Sequence, residues 1–113
     1  MKNIIEGNDE KVVRGSGNIY AQLGLPNPEE RQLKSQLMYV FNQAVQRMSL
    51  NQNEAAERVG INQADISRIS YGQGSRFSVE RLMGIVGRLG IDINIQQTHD
   101  ETGAIVYRVR EVV

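Results

Sequence analysis

Between Pro28 and Gly90 the apolar residues recur at three- and four-residue intervals, the period of an amphipathic helix. The longest such run carries Leu33, Leu37, Phe41, Ala44 and Met48, widened by Val40 and Val45, and predicts a helix from Pro28 to about Met48. Asn27 is placed to cap it, Pro28 suits the first helical position, and Glu29 and Glu30 favour the positive end of the helix dipole. A second run places Ala55, Ala56 and Val59 on one face; a third places Ile66 and Ile69. A fourth, Val79, Leu82, Met83, Val86 and Leu89, predicts a helix capped by Ser78 and ended by Gly90. Gly84 and Gly87 inside it each cost about 1 kcal/mol relative to alanine, and close approach of another helix is the expected reason for them.

From Ile91 the period falls to two. Ile91, Ile93 and Ile95 alternate with Asp92, Asn94 and Gln96, and Ile105, Tyr107 and Val109 with Val106, Arg108 and Arg110. The polar THDETG between them makes this a hairpin with one apolar face. A lone hairpin is marginal in water, so that face packs on the helices or pairs with a second copy; the second, or a mixture, is the expectation, with Ile91, Ile93, Ile95, Ile105, Tyr107 and Val109 as dimerisation residues.

Residues 1–17 have mixed charge and three glycines, and read as a flexible arm. Asn18 to Leu25 is more apolar than a linker needs, so Ile19, Tyr20, Leu23 and Leu25 are expected to lie across the helical core as a short turn or a single helical turn. The organisation is therefore an arm over 1–17, a helical domain over 18–90 and a hairpin over 91–113.

The stretch Gln52 to Tyr71 is the centre of this arrangement. Two helices this short cannot stand alone in water and must pack on each other and on a third. Small alanines allow a close crossing, and Gly60 accepts the left-handed conformation that ends the first helix. Asn51 caps that helix with Glu54 three residues on, as in a capping box. Asn62 caps the next, with Asp65 in the reciprocal place. This is the layout of a helix-turn-helix, whose second helix enters the DNA major groove by its N-terminal end.

The 113 residues suffice for one domain, with 40% hydrophobic residues and few aromatics. Absence of cysteine excludes disulfides and thiolate metal sites. No apolar run suggests a signal peptide or a membrane span, and a cytoplasmic protein is expected. Net charge is zero, which argues against a dedicated non-specific nucleic-acid binder. From Arg47 to Gly90, however, six arginines face four acids, and a dimer would double that excess. Modest affinity per monomer follows, with tight binding when two half-sites are engaged. Catalysis finds no support: His99 is the only histidine and lies in the expected turn, and the adjacent acidic pairs read as a solvated arm, a helix start and a turn. No cofactor and no metal is expected.

Leu50 to about Ile91 resembles the XRE family, the Cro and phage-repressor type of helix-turn-helix, through Ala56, Gly60 and Ile66 and the run LNQNEAAERVGINQADISRISYG. The family usually has an acidic residue two before the closing glycine; here it is Ser70. The resemblance implies a mainly α fold, a lambda-repressor-like bundle of four to five helices, here with the C-terminal β-hairpin. It also implies a homodimeric repressor on a palindromic operator in double-stranded DNA, with half-sites about 34 Å apart. By the family pattern Gln52 lies near a phosphate, and Gln63, Ala64 and Ser67 reach base edges: glutamine can pair with adenine, and Ala64 can touch a thymine methyl. Arg68 reaches a guanine or, by preference, a phosphate, and Arg76 is a further phosphate contact. Asp65 is a helix cap or a reader of cytosine, with capping preferred. The flanks SGNIYAQLGLPNPEE and GIDINIQ are similar to HigA-like antitoxins, which implies autoregulation and a RelE-like toxin partner. A helix-turn-helix serving as a protein-interaction scaffold is the competing reading.

Overall fold

The structure is a computed structural model describing residues 19–112, so the arm read over 1–17 lies outside the described residues. Within the described residues five helices precede one hairpin: α1 (Ile19–Gln22), α2 (Pro28–Arg47), α3 (Gln52–Val59), α4 (Gln63–Ser70), α5 (Val79–Arg88), β1 (Asp92–His99) and β2 (Ile105–Val112). The fold is mainly helical, as the change of period at Ile91 requires. Two compact units divide it, Leu33–Gln96 with 108–112, and 19–32 with Gln97–Tyr107.

The first unit holds the hydrophobic core. α2 buries Leu37, Met38, Val40, Phe41 and Ala44; α3 buries Ala55, Ala56 and Val59; α4 buries Ile66 and Ile69. α5 buries Leu82, Ile85 and Val86, and the chain adds Leu89, Ile91 and Val109. Met83, expected inside, is 42% exposed, and Ile85 occupies the face instead. The 82, 85, 86, 89 spacing keeps one stripe, whereas residue 83 is turned about 100° from Leu82. The face with Gly84 and Gly87 is exposed, and a Cβ at either would meet nothing within 4 Å. Among the described residues no helix lies close there, contrary to expectation. The close approach is at Gly74, where a Cβ would come within 2.9 Å of the end of Met38.

Asn27 takes a left-handed conformation (φ 51°) rather than the extended one of an N-cap. α2 ends with Ser49 also left-handed (φ 58°). The N–H of Leu50 donates to Val45 O and that of Ser49 to Gln46 O, a Schellman ending with serine where glycine is usual.

In the second unit α1 is a single turn. Ile19, Leu23 and Leu25 are exposed, at 61%, 66% and 38%, so they do not form the inward layer expected of them. Four residues spread their side chains around the helix axis, and only Tyr20 is half-buried. At the hairpin tip Asp100 Oδ1 accepts from the Thr102 hydroxyl (2.7 Å), Thr102 N–H (2.9 Å) and Ala104 N–H (3.0 Å). The Thr102 hydroxyl, assisted by backbone N–H groups and opposed by burial, holds the Asp100 carboxyl below its ordinary pKa. Val106 is buried although it lies outside the main cluster, so the alternation that assigns it to the polar face fails at this end of β2. Among the described residues no helix is long and apolar enough to cross a membrane.

Candidate nucleic-acid interface

The turn between α3 and α4 is fixed locally at both ends. Asn51 Oδ1 accepts from Glu54 N–H at 2.8 Å and Asn51 N–H donates to Glu54 Oε1 at 2.9 Å, a complete capping box. Gly60 has φ 73°, and the N–H groups of Gly60 and Ile61 both donate to Ala56 O. Space around Gly60 is open, so glycine is required for its backbone angle rather than for room. Asn62 Oδ1 then accepts from Asp65 N–H at 2.7 Å and starts α4.

Asp65 does not complete a second capping box. Its carboxylate turns sideways: Arg68 Nη1 donates to Oδ1 at 2.7 Å and Arg81 Nη2 of α5 to Oδ2 at 3.1 Å. The reason is electrostatic. With its side chain only 12% exposed, the carboxylate needs charged partners, and two guanidinium groups outcompete one backbone N–H. The Arg81 guanidinium also lies 5.0 Å over the Phe77 ring. Phe77 is 1% exposed, although no helical period in the sequence includes it. It stands immediately before the Ser78 cap of α5 (Ser78 Oγ accepts from Arg81 N–H, 3.0 Å), with buried Leu82 at the fourth helical position. That is the spacing of a hydrophobic staple, and this position was its one available signal.

The far ends of both short helices are held by side chains from their neighbours. Asn42 Nδ2 of α2 donates to Ile69 O at 3.0 Å, and Arg88 Nη1 of α5 to Val59 O at 3.3 Å. Gly72, left-handed at φ 72°, closes α4, with Gln73 N–H on Arg68 O.

These constraints leave one side of α4 outward. Asp65, Ile66 and Ile69 point in. Gln63 and Ala64 are exposed and Ser67 is half-buried; at about 100° per residue the three fall within one arc of about 100°. Arg68 lies at the border of that arc, its side chain 31% exposed and tied to Asp65. Gln52 is exposed at the first position of α3 and lies 3.5 Å from Ser70 Oγ, at the limit of a hydrogen bond. Arg76 is exposed in the loop before Phe77. Among the described residues no group of His, Cys, Asp or Glu could hold a metal ion.

The hairpin residues do not form one free face. Ile91 and Val109 belong to the core of the same chain, and Ile93 packs against it. Ile105 and Tyr107 are half-buried, and Ile95 is 37% exposed. Ile91 and Val109, each 8% exposed, thus pack within their own chain.

Residues 19–97 match the model of a family described as a helix-turn-helix domain. A solved structure named as a candidate XRE family transcriptional regulator is 36% identical, with a TM-score of 0.61, covering 78% of this chain and 99% of that one. No curated protein matches.

Proposed function

We propose that this chain, which belongs to the helix-turn-helix domain family alongside XRE-type regulators, is a DNA-binding transcriptional regulator that represses by occupying a palindromic operator as a homodimer. The observation that carries this reading is the outward arc of Gln63, Ala64 and Ser67 at the N-terminal end of α4. Asp65, Ile66 and Ile69 are committed to the fold, whereas Gln63 and Ala64 are exposed and Ser67 half-buried beside them. Gln63 and Ser67 offer side-chain hydrogen bonds for base edges, and Ala64 a methyl contact. Gln52 and Arg76 flank the arc as phosphate contacts, and Arg68 reaches a phosphate from its place beside Asp65.

The test is fluorescence anisotropy of the protein against its own upstream DNA and a scrambled duplex, across a salt series. Tight binding to the upstream duplex alone, weakening as salt rises, is expected. Gln63→Ala should weaken specific binding by about 1–3 kcal/mol and leave the scrambled duplex unaffected. Equal binding to both duplexes by the unmodified chain would refute sequence-specific repression.

The finer reading is an autoregulating antitoxin with a RelE-like toxin partner. It is supported by the flanking sequences around α1 and β1 and by the exposed Ile19, Leu23 and Leu25, aliphatic surface of the kind a protein partner covers. A neighbouring reading frame for a small basic protein, and its co-purification with this chain, is the decisive observation. A neighbour of that kind that does not co-purify removes the antitoxin role and leaves the regulator.

A further inference from the structure

We propose that two copies join through the outer edge of β1, strand against strand, to make a continuous four-stranded antiparallel sheet with Ile95 on the two-fold axis. The inference rests on the dimeric reading above. It starts from an asymmetry between the hairpin's two edges. Asp100 N–H donates to Ala104 O. This pairing sets a register in which the N–H groups of residues 105, 107, 109 and 111 point away from β1, and those of 93, 95, 97 and 99 away from β2.

The outer edge of β2 is sealed. Tyr107 N–H donates to Gln32 Oε1 at 2.8 Å, and Val109 N–H to Gln36 Oε1 at 2.6 Å. Glu111 is gripped by both Arg47 Nη atoms, at 3.0 and 2.7 Å. The outer edge of β1 has no such cover among the described residues, and all of β1 but Ile93 is exposed. Its sequence, DINIQQTH, contains neither lysine nor proline, the residues that commonly blunt a solitary edge.

The strand is also complementary to itself. With Ile95 on the axis, Ile95 meets Ile95 of the second copy and covers the apolar surface that the monomer leaves open. On the opposite face Asn94 meets Gln96, amide to amide, and Asp92 meets Thr98, carboxylate to hydroxyl. About six backbone hydrogen bonds form, and no like charges oppose each other. With the axis moved to Gln96, Asp92 would oppose Asp100. The contact is isologous, which is the symmetry a palindromic operator demands.

Three measurements on the full chain test this. Sedimentation should give twice the 12.7 kDa chain mass. Ile95→Cys should cross-link the dimer on mild oxidation, since paired Cα atoms about 5.5 Å apart lie within disulfide range. The chain has no cysteine of its own, and Tyr39→Cys, exposed on α2, should cross-link far less. Gln97→Pro removes an outward N–H that the hairpin does not use, and should give a monomer with an unchanged melting curve. A monomeric native chain, an intact Gln97→Pro dimer, or Ile95→Cys cross-linking no better than Tyr39→Cys would each overturn the edge pairing. Should Gln97→Pro unfold, the cross-linking comparison decides. The anisotropy comparison is read separately: specific binding to the upstream duplex with a failed edge keeps the DNA-binding reading, a monomeric native chain removes the homodimer along with the edge, and loss of specific binding removes the DNA-binding reading itself.

Discussion

Replacing Asp65 tests whether the recognition helix is fixed by charge. The Asp65 side chain is 12% exposed, whereas those of Arg68 and Arg81 are 31% and 46% exposed. The site therefore lies between two known limits. Exposed pairs contribute about 0.2–1 kcal/mol, and breaking a fully buried pair costs about 3–5 kcal/mol because a charge is stranded. Here both arginines can return to water when the carboxylate goes, so the stranding cost is largely avoided. What is lost is two charge-assisted hydrogen bonds, each about 1 kcal/mol at a half-buried site, and some favourable interaction with the start of α4. Asp65→Ala should cost about 2 kcal/mol. Asp65→Asn keeps shape and one acceptor and should cost about half of that.

At roughly 4–8 °C per kcal/mol for a domain of this size, Asp65→Ala should melt about 8–16 °C lower by circular dichroism. A double-mutant cycle with Arg81→Ala isolates the tie to α5, and a coupling of about 1 kcal/mol is expected. The same substitution frees Arg68 and removes a negative charge beside the DNA-facing arc. Binding to a scrambled duplex should tighten while the ratio of specific to non-specific affinity falls. A melting temperature within about 2 °C of the native chain, less than 0.5 kcal/mol on the same scale, would refute the argument. So would zero coupling between Asp65 and Arg81.

Phe77→Ala should destabilise by about 3–5 kcal/mol, read as a lower urea midpoint, since the ring is 1% exposed and removal opens a cavity beneath the Arg81 guanidinium. Gly84→Ala and Gly87→Ala should each raise stability by about 0.5–1 kcal/mol in the same titration, because a Cβ at either meets nothing and glycine's helical penalty is lifted.

The features legible in the sequence are those whose physics is local. The capping box at Asn51 and Glu54, the left-handed Gly60 and the stripes of α2, α3 and α4 depend on residues no more than a few positions apart. The change of period at Ile91 marks the hairpin for the same reason. What was not legible depends on residues distant in sequence. Asp65 reads as a cap until Arg81, sixteen positions later, is folded against it. Ile19, Leu23 and Leu25 look like core because apolarity alone does not say whether a layer exists to receive them. Gly84 and Gly87 suggest a close neighbour that is not there, while the glycine in close contact, Gly74, sits in a polar loop with no periodicity to mark it. The alternation in the hairpin predicts a face that a second copy covers alone or shares with the helices, but periodicity cannot show which partner covers which residue. Here the chain's own helices cover Ile91 and Val109.

The same division explains how a reading surface can vary without loss of the fold. α4 has eight residues, too few to persist alone, so its stability must come from contacts outside itself. Asn62 holds its start, Asn42 and Gly72 its end, Ile66 and Ile69 its buried side, and the Asp65–Arg81 pair its angle to α5. None of these residues belongs to the outward arc. Among the described residues the Gln63 and Ala64 side chains make no hydrogen bond or ion pair, and half-buried Ser67 serves the helix through its carbonyl, which accepts from the Ser70 hydroxyl at 2.7 Å and from Tyr71 N–H at 3.1 Å. Side-chain substitutions at these three positions should therefore shift stability by no more than about 0.5 kcal/mol, the range of ordinary surface changes, while altering which duplex is bound. Thermal melts of Gln63→Ala and Ser67→Ala beside their anisotropy curves make the comparison. A destabilisation of 2 kcal/mol or more in either would show that the arc supports the fold after all, and a loss of DNA binding in that variant could then no longer be assigned to lost base contacts.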